Sequence, residues 1–330
     1  MSDIKEIKAQ AAGLGISLLG MGASLPGEPV SNADMAKLVD TSDEWIVSRT
    51  GISGRHFVSD EQNIDLAEQA ARSAIAKSGV SPEDIGVLLV ATFTPDRMSP
   101  STACCLRARL GLAEDAIVFD INAACAGFLY ALSTARNLLI SSSRPCALVV
   151  GSEVLSRVLD FTDRSTCVLF GDGAAAAVIT LSDNKPFYYL GGSREDTGDF
   201  LYCSGSIDKM RGNKRGIVHM QGQEVFRFAV DIIPYSIEGL LNQSGLALED
   251  IDYVVCHQAN IRIINHVAKK MKARPGQFFI NLQELGNTSA ASIPLALCDM
   301  ERLGLLRPGV RVMCVGFGAG FTWGGCLLTC

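Results

Sequence analysis

Histidine and tryptophan are scarce in these 330 residues, with four of one and two of the other, and charged side chains make up only 19 %. Lysine and arginine (29) are outnumbered by aspartate and glutamate (35), leaving a net charge of −6. The chain therefore lacks the positive field by which proteins hold nucleic acid. No apolar run reaches the roughly 20 residues needed to cross a bilayer, so no membrane partner is expected. There is no G-x-x-x-x-G-K-[ST] phosphate loop, no G-x-S-x-G elbow and no Cys/His metal spacing, so no metal is expected. Eleven cysteines are an odd number, are widely scattered and include the adjacent pair Cys104 and Cys105. They read as reduced, mostly buried thiols of a cytoplasmic protein, not as a disulfide framework. What is present is 48 % hydrophobic residues and 32 glycines, which excludes disordered, collagenous and coiled-coil chains. Ala11 to Leu25 follows a mixed-charge start and holds four glycines; it reads as a buried strand ending at Pro26.

The chain repeats itself. Gly79-Val-Ser-Pro-Glu-Asp-Ile85 followed by Gly-Val-Leu-Leu-Val-Ala91 is echoed by Gly245-Leu-Ala-Leu-Glu-Asp-Ile251 and Asp-Tyr-Val-Val-Cys-His257. Asn122-Ala-Ala-Cys-Ala-Gly-Phe-Leu-Tyr-Ala-Leu132 is echoed by Asn287-Thr-Ser-Ala-Ala-Ser-Ile-Pro-Leu-Ala-Leu297, and Ala147-Leu-Val-Val-Gly151 by Val312-Met-Cys-Val-Gly316. The order and offset are kept, which implies a duplicated β-α-β unit joined near residues 180 to 190. Alternating strands and helices call for sheets covered on both faces. A pseudo-twofold would then set equivalent loops against each other across a cleft. Arg194 to Gly222 has no periodicity and reads as an excursion over the surface.

Three residues could do chemistry together. Cys125 follows the strand-like Ile117 to Ile121 and precedes a helical run, Gly127 to Ile140, so it sits at a helix start, where unpaired amides favour a thiolate. A small buried cysteine is the plain alternative. His257 leaves the end of a buried strand, where α/β active sites gather. A satisfied structural histidine is the plain reading there, and also for His56, His219 and His266. Asn287 is the duplication's counterpart of Asn122 and could simply cap a helix. The pseudo-twofold brings all three towards one point. Gly316-Phe-Gly-Ala-Gly320 lies too near the last residue given for a dinucleotide-binding unit, and suits a tight turn that exposes amides.

Cys125 in Ala-Ala-Cys-Ala-Gly-Phe, His257 in His-Gln-Ala-Asn and Asn287 in Gly-Asn-Thr-Ser-Ala-Ala-Ser resemble the initiating β-ketoacyl-acyl-carrier-protein synthases (type III). Thr41 to Gly51, Phe170 to Ala174 and Gly318 to Gly324 look like the same family, over nearly the whole chain from about Gly15. The resemblance implies a thiolase-like duplicated five-layer α/β/α/β/α fold, with halves 1–185 and 186–330, and a homodimer. It implies an acyltransferase that condenses an acyl-CoA primer with malonyl-acyl-carrier protein through a Cys125 acyl-enzyme, with His257 and Asn287 stabilising the enolate. No cofactor is implied, because the coenzyme A thioester is a substrate. By the same resemblance Gly318 or Ala319 lends an oxyanion amide, Trp45 and Arg164 sandwich the adenine, and Arg49 meets the phosphates. Gly222 and Asn260 would line the pantetheine tunnel, and Arg262, with Lys269 and Lys270, would meet the carrier. Ser99, after Met98, stands beside the segment where acetyl-using relatives carry a bulky aromatic, which implies a deeper primer pocket; Asn122 is a second departure. Siblings making ketones, quinolones or polyketide starters share the motifs, and a thioester hydrolase is a further alternative. A hydroxymethylglutaryl-CoA-type synthase would need an acid near the nucleophile, and Thr92 to Ser101 offers only Asp96.

Overall fold

Ile85-Gly-Val-Leu-Leu-Val-Ala91 is apolar on both faces, as a strand covered from two sides must be, and it is buried throughout. A computed structural model of the protein describes residues 14–205 and 216–330. Its first sheet contains β1 (Gly15–Ser24), β2 (Ile85–Ala91), β3 (Ile117–Ile121), β4 (Cys146–Glu153) and β5 (Gly173–Ser182), in the order β1-β5-β4-β2-β3. The second contains β6 (Tyr188–Ser193), β9 (Tyr253–Cys256), β10 (Arg311–Gly318) and β11 (Thr322–Thr329), in the order β9-β10-β11-β6. Between β6 and β9 in sequence lies a two-stranded ribbon, β7 (Leu201–Cys203) with β8 (Val218–Met220).

The sheets repeat one topology. β2 and β4 are parallel, as are β9 and β10; β4 and β5 are antiparallel, as are β10 and β11. The counterpart of β3 shrinks to an isolated parallel bridge between Val254 and Phe278. Helices α2 (Asn63–Ser78) and α5 (Gly222–Ser244) occupy matching places, and each ends on a glycine in the left-handed conformation, Gly79 (φ 68°) and Gly245 (φ 69°). That conformation is why the echo keeps glycine at its first position.

Helices α4 (Gly127–Leu139) and α7 (Ser292–Arg302) pack between the sheets and touch both. Their apolar faces meet in a central core that includes Phe128, Leu129, Leu132, Ile293 and Leu297. Outside the first sheet, α2 and α3 (Thr102–Leu110) cover a second core. Outside the other, α5 and α6 (Ile261–Lys270) cover a third. The result is the five-layer α/β/α/β/α arrangement. A truncation such as Leu129→Ala in the central layer costs about 2–5 kcal/mol. Among the described residues no helix is long and apolar enough to cross a membrane. All eleven cysteines are free, and six are buried. The expected amino-terminal strand corresponds to β1, apart from Ala11 to Gly13, which lie outside the described residues.

Candidate active site

The two central helices begin in matching turns. Ala124–Ala126 precedes α4 and Ser289–Ala291 precedes α7. In each, an asparagine Oδ1 accepts the amide two residues on: Asn122 from Ala124 N (3.3 Å) and Asn287 from Ser289 N (2.9 Å). Ala124 and Ser289 share a left-handed backbone, φ 47° and 48°. The turns touch across the pseudo-twofold. Cys125 and Asn287, and with them His257 from the end of β9, line one cavity of about 870 Å³.

Asn287 is fixed from both sides. Its amide donates to Leu169 O (2.8 Å), and its carbonyl accepts from Gly171 N (3.1 Å). The Phe170-Gly-Asp-Gly-Ala174 run thus acts as a brace, anchored by the buried Asp172, which accepts from Ser156 N and Val58 N at 2.8 Å. With Oδ1 taken by Ser289, the group Asn287 offers the cavity is its Nδ2 donor. His257 is 2 % exposed, and its backbone amide donates to Val315 O (2.8 Å). Its Nδ1 lies 2.6 Å from Ser292 Oγ, while its ring meets Phe317 edge-on. Burial pushes its pKa down to about 3, so the imidazole is neutral.

The glycine turn after β10 closes against the nucleophile. A Cβ on Gly318 would lie 2.6 Å from the Cys125 amide nitrogen, so only glycine permits this approach. Thr322 Oγ1 bridges the two turns, 2.9 Å from Ala123 O and 3.0 Å from Ala319 O. Gly318 and Ala319 line the cavity beside Cys125. Cys125 itself departs from the expected thiolate. Burial pushes its thiol up to about 12, with the charge of Glu153 adding; the Ser289 hydroxyl and the cysteine's own amide act the other way. Desolvation outweighs the helix start at the sulfur.

At the mouth, the guanidiniums of Arg49 and Arg164 lie 4.9 and 5.1 Å from the Trp45 ring centre. Trp45 is held on α1 (Asp43–Thr50), whose cap Ser42 Oγ accepts Trp45 N at 3.1 Å. Arg164 also donates to Asp40 O (3.1 Å). Asn260 caps α6 through Arg262 N (2.9 Å) and donates to Arg49 O (3.1 Å), tying the two helices at the rim; Gly222 lines the same wall. Arg262 is exposed at the start of α6, and Lys269 and Lys270 are exposed at its end. Ser99 is exposed and does not line this cavity.

The described parts of Arg194 to Gly222 run over the surface only in part: Arg194, Glu195, Thr197 and Asp199 are exposed, but Leu201 and Cys203 of β7 and Val218 and Met220 of β8 form a cavity wall, and Phe200 stacks on Phe321. The strands are three residues long, too short for a period to show. Residues 206–215 of that stretch lie outside the described residues. Asp96 is a helix cap, accepting Asn63 N (3.0 Å) and Ile64 N (2.9 Å). An acid beside Cys125 comes from outside that segment: Glu153, fully buried at the end of β4. An acid closing the apolar run Ala147-Leu-Val-Val-Gly-Ser-Glu153 was the available signal, of the same kind that pointed to His257. Among the described residues no group of three or more His, Cys, Asp or Glu side chains could hold a metal ion.

Residues 119–193 match the family described as 3-oxoacyl-[acyl-carrier-protein (ACP)] synthase III, and residues 241–330 match its C-terminal counterpart. The β-ketoacyl-[acyl-carrier-protein] synthase III of Clostridium acetobutylicum is 46 % identical over 319 residues, covering 95 % of this chain and 98 % of that one. The chain belongs to the β-ketoacyl-[acyl-carrier-protein] synthase III family. It is thus a condensing acyltransferase of fatty acid biosynthesis. The crystal structure of the family member from Thermus thermophilus superposes with a TM-score of 0.90 at 38 % identity, covering 95 % of this chain and 99 % of that one. The priming β-ketosynthase of the R1128 polyketide biosynthetic pathway superposes at 0.89 with 36 % identity, covering 95 % and 96 %. The five layers are those of the thiolase fold that the family shares.

Proposed function

We propose that the protein joins an acyl-CoA primer to malonyl-acyl-carrier protein by decarboxylative Claisen condensation, giving a β-ketoacyl-acyl-carrier protein. The observation that carries this reading is the convergence of a thiol, a neutral imidazole and an amide donor from three segments on one cavity. Cys125 Sγ attacks the primer's carbonyl carbon, and the bond to the coenzyme A sulfur breaks, leaving the acyl group on Cys125. Amides of Cys125 and of the Gly318–Ala319 turn receive the oxyanion. In the second stage the bond from the malonyl α-carbon to its carboxylate breaks, carbon dioxide leaves, and the electron pair moves to the thioester oxygen. Asn287 Nδ2–H and His257 Nε2–H donate to that oxygen. Ser292 Oγ–H donating to Nδ1 keeps the imidazole hydrogen on Nε2. The enolate carbon then attacks the acyl carbon, a C–C bond forms, the C–S bond breaks and Cys125 is freed.

Trp45 and Arg164 would open to take the adenine between them, with Arg49 on the phosphates and the pantetheine arm passing Gly222 and Asn260. Arg262, with the α6 lysines, faces an acidic carrier across the same mouth. We place the protein in the cytoplasm as a homodimer of two-half protomers (1–185 and 186–330), needing no cofactor besides its substrates. β3 is a sheet edge with Ile117 43 % exposed, suited to pairing with a second copy. In that dimer Ser99, which follows the 82 % exposed Met98, would reach the partner's primer pocket and leave it deep. The kinship with a polyketide priming enzyme favours one second reading, a starter-forming role in secondary metabolism.

The test is to incubate the protein with acyl-CoAs from two to about ten carbons and malonyl-acyl-carrier protein, and to weigh the carrier. A β-ketoacyl-carrier two carbons longer than the best primer is expected. Free acid without carrier product would instead mean a hydrolase.

A further inference from the structure

His257 and Asn287 act as donors in the condensing step, so neither is placed to take the hydrogen that Cys125 must lose when it attacks the primer. Beside the thiol stands a group the reaction has not used. Ser289 lines the same cavity as Cys125, on the turn that touches the cysteine's own; its hydroxyl holds the thiol's pKa down and lies 3.2 Å from Glu153 Oε1. Glu153 is wholly buried, and its two oxygens are treated unequally. Oε2 accepts from Thr94 Oγ1 (2.5 Å), Thr94 N (3.2 Å), Thr92 Oγ1 (3.2 Å) and Phe93 N (3.3 Å). Oε1 has Ser289 and a longer contact from Phe93 N at 3.4 Å. The oxygen with room for a hydrogen is the one that faces Ser289.

We infer that Cys125, Ser289 and Glu153 form a relay that carries the thiol hydrogen away during acylation. The Sγ–H bond breaks and its hydrogen passes to Ser289 Oγ, whose own hydrogen passes to Glu153 Oε1; the electron pair stays on sulfur. The carboxyl then donates back to Ser289, and the same hydroxyl donates to the thiolate. When the tetrahedral adduct collapses, the hydrogen leaves Glu153 with the departing coenzyme A thiol, so atoms and charge balance. In this relay Ser289, beside Cys125 in the cavity, takes the hydrogen directly, and Glu153 acts through it as a positioning residue.

Desolvation raises Glu153 from the ordinary carboxylate value to about 7, whereas burial lowers His257 to about 3, so the carboxylate is the stronger base for the thiol. The groups facing Glu153 are the Thr92, Thr94 and Ser289 hydroxyls, the Phe93 amide, and the thiols of Cys125 and Cys203, which feel its charge. Burial pushes Cys203 up to about 11 and Cys125 to about 12, so near pH 7 the titrating member is Glu153.

The inference rests on Cys125 being the acylated nucleophile, and the experiment separates the two. Rapid-quench intact mass spectrometry gives the single-turnover rate of Cys125 acylation from acyl-CoA, without malonyl substrate, between pH 6 and 9. The wild-type rate should climb tenfold per pH unit, bend near pH 7 and level off, because the transferring form holds as many hydrogens as thiol with carboxylate. Glu153→Gln and Ser289→Ala should each lose that bend, climb to pH 9 and run about tenfold or more slower at pH 7. His257→Ala should keep the bend. Alanine suits position 289, since Ala124 holds the same φ in the matching turn, so the test survives even if Glu153→Gln misfolds. A wild-type profile without a bend, or a bend kept in both relay variants or lost in His257→Ala, would overturn the relay. No adduct on wild-type Cys125 would instead overturn the proposed function.

Discussion

The turns Ala124–Ala126 and Ser289–Ala291 share an asparagine cap, a left-handed residue and a following central helix, yet their contents differ. The first holds Cys125 where the second holds Ala290. The second holds Ser289 and Ser292 where the first holds Ala124 and Gly127. The strands behind them diverge the other way: β4 ends in the buried Glu153, and its counterpart β10 ends in Gly318, pressed against the Cys125 amide. Duplication supplied two identical supports. One turn was kept small, given the nucleophile and backed by a buried carboxylate, and the other took the hydroxyls and the amide that serve the thiol and the enolate. The site needs both halves because each lacks what the other carries.

The division of labour can be broken on one side at a time. Asn287→Ala or His257→Ala should cut condensation about 10²–10³-fold, the usual loss for one oxyanion donor. Acylation of Cys125 should survive both, as read by adduct mass and carrier product in parallel. Gly318→Ala should disturb the first turn: its methyl would meet the Cys125 amide, costing about 1–3 kcal/mol of stability by denaturant titration and slowing acylation.

Glu153 in the first half and His257 in the second respond oppositely to pH. Glu153, raised to about 7, binds its proton more tightly in the folded chain than in the unfolded one. Its contribution is therefore full below about pH 4.5 and is lost as pH rises through 7. His257, lowered to about 3, contributes fully above pH 6.5 and loses that as pH falls towards 3. Glu153→Gln should thus gain roughly 1–3 kcal/mol more stability, relative to wild type, at pH 7.5 than at pH 5, and His257→Gln should flatten the acid limb below 6.5. Thermal unfolding across that range checks both. The smallest effect belongs to the rim. Arg164→Ala should raise the KM for acyl-CoA about five- to tenfold with kcat unchanged, the size of one cation–π contact in steady-state kinetics.

Much of this is legible in the sequence alone. Gly79 and Gly245, Asn122 and Asn287, and the strands ending at Gly151 and Gly316 announced two copies, because left-handed helix ends, turn caps and buried strands constrain residue type locally. Cys125 and His257 were visible for the same reason, standing at junctions where α/β sheets open. What stayed hidden depends on contacts between distant segments. Glu153 looked like the end of a strand until Thr92, Thr94 and Ser289 closed round it. The Phe170–Ala174 run showed its purpose only where it brackets Asn287, and the ribbon of β7 and β8 became a cavity wall through strands too short to carry a period. The raised pKa of Cys125 is not legible in the sequence, because a helix start is visible there and desolvation is not.

The central claim is that one half carries the acyl group and the other half extracts the enolate. The most direct measurement follows one acyl-CoA through both stages by intact-protein mass spectrometry, using wild type, Cys125→Ala and Asn287→Ala. A single adduct should form on wild type and Asn287→Ala, none on Cys125→Ala, and malonyl-acyl-carrier protein should clear it promptly only from wild type. An adduct on Cys125→Ala equal to that on wild type, or prompt clearance from Asn287→Ala, would contradict the account.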